Sequence, residues 1–301
     1  MEKRLNLNIA GAISEFEKLA KKFLIKRLMY KIIFRGKGLE FESYREYAPE
    51  DEAYNIDWKA SARSNKLLVK QYIEERDLKI VFVIDISENM VFGSTEKLKC
   101  EYAAELSAAL ANLIIESDDG IGFVFFNDKV VKSVMPKKGK KQLRLFIESL
   151  SDPEVYEGIS DPKKALDSLL DSLGSSINAI ILISDFIKVK KDISKTLSLL
   201  SSRFETIAIM IKDPLDKTLP NVKGEVVIQD PLTKEQIIID PNVARKEYEK
   251  NAKEQEEMTK KMLTDYGIDL LELTTNKPFT PYLAEFLKER LQKRRYIMPR
   301  R

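Results

Sequence analysis

Three short stretches of the chain, residues 80–84, 122–126 and 179–183, are apolar without a polar break. Runs of that length, rich in β-branched and aromatic residues, predict strands buried on both faces, as in the middle of a parallel sheet. Residues 204–211 and 268–273 predict a fourth and a fifth strand. Between them the apolar positions recur at helical spacing and predict helices over 97–116, 140–150, 163–173, about 193–201, 243–266 and 280–295. The first of these is rich in Ala and free of Pro. Pro162 suits the first turn of helix 163–173, with Ser160 or Asp161 as its cap, and Gly267 suits the end of helix 243–266. Residues 130–134 follow Asn127 and Asp128 as the return strand of an edge hairpin. Residues 213–241 read as an insertion built on a hairpin of 226–228 and 236–239. Alternating strands and helices predict one α/β domain over residues 79–301, a doubly wound, mostly parallel sheet.

Residues 1–78 form a helical and irregular satellite in this reading. Residues 9–34 carry a helical pattern with a basic outer face, expected to pack on the domain as a lid. Gly36, Lys37 and Gly38 lack the Gly-Lys-Ser/Thr that would complete a phosphate loop. Residues 36–63 read as irregular, with Arg45, Glu46, Asp51, Asp57 and Arg63 available for a salt-bridge network and Trp58 as a packing anchor. Residues 67–72 then predict a strand leading toward the central one.

Composition narrows the chemistry. Of 301 residues, 44% are hydrophobic and 33% charged, which is enough to build a core and argues against disorder. Net charge is +3 with both signs intermixed, so no global basic field points to nucleic acid. The basic residues 293–295, 300 and 301 read as a solvated helix end. The chain has no His, which excludes Ser-His-Asp catalysis and imidazole metal ligands. Cys100, the sole Cys, excludes an internal disulfide and reads as a small buried residue. No run approaches the roughly 20 apolar residues of a membrane span, and the expected setting is cytoplasmic.

Candidate chemistry lies where the strands stop. The 80–84 run ends in Asp85-Ile86-Ser87-Glu88-Asn89, and the 179–183 run ends in Ser184-Asp185. In open α/β sheets ligands collect at the carboxyl ends of strands. Asp85, Ser87, Asn89, Ser160 and Asp185 would supply two carboxylates, two hydroxyls and an amide, hard oxygen donors suited to Mg2+ or Mn2+. The competing reading is that these residues close turns and cap helices, as Asp and Ser do everywhere.

The order of these features resembles the domain-of-unknown-function 58 family, whose core is similar to a von Willebrand factor A domain and so Rossmann-like. The resemblance runs from about residue 34 to 294. It is carried by Gly38 to Phe41, Arg45-Glu46-Tyr47, residues 49–51, the block Ile56-Asp57-Trp58-Lys59-Ala60-Ser61-Ala62-Arg63, residues 67–70, Glu75-Arg76, residues 85–90, Gly93, Ser184-Asp185-Phe186, Asp213-Pro214-Leu215 and Tyr248. It implies a metal-ion-dependent adhesion site with Asp85 and Ser87 in the first loop, Ser160 in place of the second-loop Thr, and Asp185 in the third. Asn89 stands where a second Ser is usual, which lengthens the side chain and implies a weaker site. The resemblance implies a binding module, not an enzyme, acting with a MoxR-type AAA+ ATPase or its client in chaperone-like assembly, with Glu88 and Asn89 on the rim that meets the partner. Two alternatives stay open: a metal-dependent hydrolase or phosphotransferase using Asp85, and a nucleic-acid binder using the basic termini.

Overall fold

The computed structural model describes residues 5–22, 40–48, 51, 56–73, 78–174, 176–187, 189–229 and 236–297. The rest of the 9–34 helical stretch, the glycines at 36 and 38 and the basic residues at 300 and 301 lie outside them. The chain divides into two compact units, one of them Arg35–Leu78 and the other made of the remaining residues on either side.

The larger unit is built on a six-stranded sheet. Its strands are β3 (Lys79–Asp85), β4 (Gly120–Phe126), β5 (Val130–Lys137), β6 (Ala179–Ser184), β7 (Glu205–Lys212) and β10 (Asp269–Thr274), in the order β10-β7-β6-β3-β4-β5. Only the β4–β5 pair is antiparallel. The fold is therefore the mixed α/β, mostly parallel sheet that the alternation of elements predicts, with each apolar run forming a strand. The chain lays β4 on one side of β3 and later returns to lay β6 on the other, so the strand order reverses at β3. A crevice between diverging crossovers opens at such a point.

Helices cover both faces. On one lie α3 (Lys99–Glu116) and α4 (Lys140–Leu150), and Phe146 of α4 stacks at 5.0 Å ring separation on both Phe82 and Phe123. The other face packs Val81, Val83, Val124 and Leu182 against α5 (Pro162–Ser172) and α6 (Ser194–Arg203) through Leu166, Leu169 and Leu197. Strands buried on both sides need apolar residues at every position, which is why the sequence shows runs and not alternation. The edge strand β5 does alternate, with every second residue exposed.

The N-terminal helix α1 (Ile9–Lys22) groups with this larger unit and not with the satellite in which it was expected. Its Ala12 and Phe16 are buried, and it packs on α3 and on the last helix, α8 (Phe279–Ile297). The hairpin expected in the insertion forms as β8 (Val226–Gln229) against β9 (Gln236–Ile239), followed by α7 (Pro241–Asp265). Among the described residues no helix is long and apolar enough to cross a membrane.

The smaller unit corrects the reading of residues 36–63 as irregular. Strand β1 (Glu40–Glu46) pairs antiparallel with β2 (Leu68–Ile73), with a bulge between Phe41 and Ser43, and a short helix α2 (Trp58–Ser64) lies between them in sequence. Strand β2 thus belongs to its own two-stranded sheet. The charged residues act separately. Arg45 forks onto both carboxylate oxygens of Asp51, and Glu46 pairs with Lys66. Asp57 caps α2 by accepting from the N–H groups of Lys59 and Ala60 and also accepts from the Tyr44 hydroxyl at 2.9 Å. Arg63 is exposed. Trp58 is 67% exposed and anchors no core, contrary to expectation. It occupies the first helical position after its cap, where the side chain turns outward.

Deleting the Phe146 ring should cost about 3–5 kcal/mol, as large aromatic truncations in cores do, whereas Trp58→Ala should stay within about 0.5 kcal/mol. Chemical denaturation of the two variants beside the parent chain measures both.

Candidate functional site

The centre of the site follows from register. Ile84 of β3 lies opposite Ile183 of β6, so the next residues along, Asp85 and Ser184, end neighbouring strands at the same rim. The Ser184 hydroxyl donates to Asp85 Oδ2 at 2.8 Å, and the Ser160 hydroxyl donates to the same oxygen at 2.8 Å. Asp85 Oδ1 accepts the Ser87 N–H at 3.0 Å, closing a turn at the strand end. Asp85 is fully buried, as are Ser87, Ser184 and Asp185 to within one per cent.

Ser160 reaches Asp85 because another residue caps the helix. Asp161 accepts from the Lys164 N–H and serves as the cap of α5, with Pro162 in the first turn. The loop before it is stitched to its neighbours. Glu88 N–H donates to Gly158 O, Asp161 N–H to Asn127 O, and the Asn127 amide to Glu157 O. Gly158 has φ +82°, and a Cβ there would stand 2.7 Å from Asn127 Nδ2, so the position takes only glycine.

Asp185 is held differently. Its Oδ1 accepts the Ile187 N–H at 3.0 Å, and its Oδ2 receives the Lys99 ammonium at 2.7 Å. Between them Phe186 sits at φ +53°, uncommon for a residue with a bulky side chain, with that side chain buried in the core. Lys99 is 1% exposed and also reaches Asp216 Oδ2 at 3.2 Å. Burial opposes its charge, but Asp185 and then Asp216 outweigh burial and hold the ammonium above the usual lysine range. Asp216 belongs to the turn after β7. Its Oδ2 accepts the Asp213 N–H, while buried Asp213 accepts from Ser94, Leu215 and Thr275. Lys212 is also buried here, and desolvation pulls it below the lysine range despite Asp185 and Asp216.

Two buried polar atoms of the first loop lack a well-formed hydrogen bond among the described residues. One is the Ser87 hydroxyl, which lies beside the Asp85 carboxylate and helps hold its charge. The other is the amide nitrogen of Asn89, one residue into the 3-10 turn Glu88–Val91. Glu88 and Asn89 are half-buried on that turn. The five residues picked from the sequence therefore group as Asp85, Ser160 and Ser87 in direct association, Asp185 joined through its neighbour Ser184, and Asn89 a short step along the first loop. Among the described residues no group of three or more His, Cys, Asp or Glu side chains is arranged to hold a metal; the oxygens here come from two carboxylates and from hydroxyls.

A model of the family described as "Protein of unknown function DUF58" matches residues 43–258. The chain belongs to the DUF58 family. Related sequences include uncharacterized proteins of Mycobacterium tuberculosis and Mycobacterium bovis, each 27% identical over 259 residues, or 85% of this chain and 80% of theirs. Similar solved structures include the conserved hypothetical protein BatB from Bacteroides thetaiotaomicron, with TM-score 0.49, 14% identity, 71% of this chain and 99% of that chain covered. An aerotolerance-related membrane protein from Bacteroides fragilis, carrying multiple mutations to serines, follows with TM-score 0.47, 14% identity, and 72% and 99% covered. The DUF58 match includes all of the rim residues described above, from Asp85 to Asp216.

Lys99 and Asp216 of this DUF58 chain escape a reading of motifs, and so does the bond from Ser184 to Asp85. Lys99 carried one signal. It is a cation in the first turn of a helix, where the macrodipole disfavours positive charge, so a specific partner must hold it.

Burial first, and then the charge of Asp185, push Asp85 above the ordinary carboxylate range against its hydrogen bonds. A raised folded value means the unfolded chain gives up this proton first. The contribution of Asp85 to stability is thus complete below the ordinary carboxylate pKa and is lost as pH rises through the raised folded value. Asp85→Asn cannot ionise and escapes that loss. In EDTA its melting point should exceed the parent's at pH 7.5 by about 2–4 °C per kcal/mol recovered, and the margin should shrink as pH falls toward 4. Scanning calorimetry across that range tests the sign.

Proposed function

We propose that the chain is a non-enzymatic interaction module with a von Willebrand factor A-like core, and that it grips a partner protein through a divalent ion at the rim of the sheet. The observation that carries this reading is the Asp85 carboxylate, fully buried, bonded by hydroxyls from two other loops and crowded by the like charge of Asp185. Two carboxylates pressed together away from water call for positive charge between them. Carboxylate and hydroxyl oxygens are the donors that Mg2+ and Mn2+ prefer, and the Ser87 hydroxyl, buried beside the Asp85 carboxylate without a well-formed bond among the described residues, is a further oxygen of that kind.

Asp85, Ser87, Ser160 and Asp185 would hold the ion. When bound it supplies an electrophilic position that a carboxylate from another protein can fill. Glu88 and Asn89 then form the lip beside that position, and the longer amide of Asn89 in place of a hydroxyl favours an ion that binds firmly only once the partner has contributed. A MoxR-type AAA+ ATPase in the cytoplasm, or the client it remodels, is the partner class that the family implies. Hydrolysis through Asp85 is the poorer account. The chain has no His to act as base.

Binding of a purified MoxR-type ATPase from the same organism to the immobilised chain, in Mg2+ and in EDTA, tests the reading. Affinity should drop at least about tenfold in EDTA, and by a similar factor for Asp85→Ala in Mg2+, since about 1.4 kcal/mol of lost coordination is enough for that change. Equal capture under all conditions would remove the ion from the interface.

A further inference from the structure

The Lys99 ammonium already occupies the place of a cation. It sits 2.7 Å from Asp185 Oδ2, while Asp185 Oδ1 is committed to the Ile187 N–H. The Asp185 oxygen that carries no backbone hydrogen bond is thus the one Lys99 covers. A second berth lies alongside, Asp216 Oδ2 at 3.2 Å from the same nitrogen. Lys99 is enclosed, with the ring of Phe92 5.6 Å from its ammonium, so it cannot leave for solvent without dismantling the start of α3.

We propose that Lys99 is a built-in competitor for the rim ion: it neutralises Asp185 when the ion is absent and moves fully onto Asp216 when the ion binds. This rests on the metal-binding reading above and adds to it how that site is regulated. Placing a divalent ion beside an ammonium on one carboxylate oxygen in a desolvated pocket is opposed by like-charge repulsion. The site therefore rests in a neutralised state and gives up Asp185 only at the cost of shifting Lys99. That shift draws on the turn of residues 213–216, whose Leu215 carbonyl accepts the Tyr248 hydroxyl of α7 at 2.7 Å. Loading of the rim is in this way felt at α7.

Two lysines separate competition from simple charge. Lys212 is buried near the same carboxylates and shares their field. Binding of Mn2+, followed by the paramagnetic resonance signal of the free aqueous ion, is measured for the parent chain, Lys99→Met and Lys212→Met. Lys99→Met should bind Mn2+ at least tenfold more tightly than the parent, and Lys212→Met should gain no more than about threefold, as a change of field alone. Equal gains in the two variants, or no gain in Lys99→Met while the parent binds, overturn the competition. No Mn2+ binding by either the parent or Lys99→Met overturns the metal site itself. Should Lys99→Met fail to fold, Asp216→Asn, which keeps an oxygen for the Asp213 N–H, takes its place. Without the second berth Mn2+ affinity should fall about tenfold, and an unchanged affinity refutes the proposal.

Discussion

Everything at the rim depends on one buried carboxylate. Asp85 ends the central strand of the sheet with none of its surface exposed, at a position where its neighbours upstream are all apolar. An isolated charge there would cost several kcal/mol. Three donors reduce that cost, the Ser87 N–H and the hydroxyls of Ser160 and Ser184. They come from three separate segments, the turn after β3, the connection from α4 to α5 and the end of β6, so satisfying Asp85 also fixes those segments relative to one another. Gly158 allows the second loop to come close enough, and the strained backbone at Phe186 turns the third so that Asp185 faces the same pocket.

Hydroxyls alone leave Asp85 above the ordinary carboxylate range, with Asp185 adding to the burden. Lys99 answers half of that problem. It neutralises Asp185, with Asp216 behind it, but does not bond to Asp85. The rim is thus compensated on one side and under-compensated on the other. Under the metal-binding reading proposed above, that asymmetry leaves the Asp85 side as the place for an added cation.

The strands and the larger helices were legible because burial on both faces writes itself as uninterrupted apolar runs, and burial on one face as a period of three or four. The site was legible as far as polar residues interrupted those runs. Asp85, Ser87 and Asp185 stand at such stops, and Ser160 stands between a glycine and a helix cap. What stayed hidden has a common cause. Lys99 and Asp216 are identified by what they touch 86 and 117 residues away, and a period says where a side chain lies on a helix but not what faces it. Ser184 was visible as a polar residue, yet its bond to Asp85 follows from the β3–β6 register, which no local pattern encodes. The β1–β2 sheet and helix α2 were missed because a two-stranded sheet and a seven-residue helix bury too little to impose a period. Trp58 misled for the opposite reason: its size suggests a core, but its place directly after the Asp57 cap sends it outward.

Chain order gives the rim a further property. Asp85 closes β3, and Lys99 opens α3, the next helix along, so one strand-to-helix unit carries both the charge at the centre and the cation beside it. The connection between them, residues 86–98, holds Ser87, the turn with Glu88 and Asn89, and Ser94, which bonds to Asp213. A movement of Lys99 from Asp185 toward Asp216 would therefore pull on the same loop that presents Glu88 and Asn89. The loop is tied to its surroundings through the Glu88 N–H to Gly158 O and through Ser94 to Asp213, and the Lys99 N–H to Phe92 O closes it on itself. If the proposed exchange occurs, ion, lysine and lip would behave as parts of one short lever, because one strand-to-helix unit carries them all.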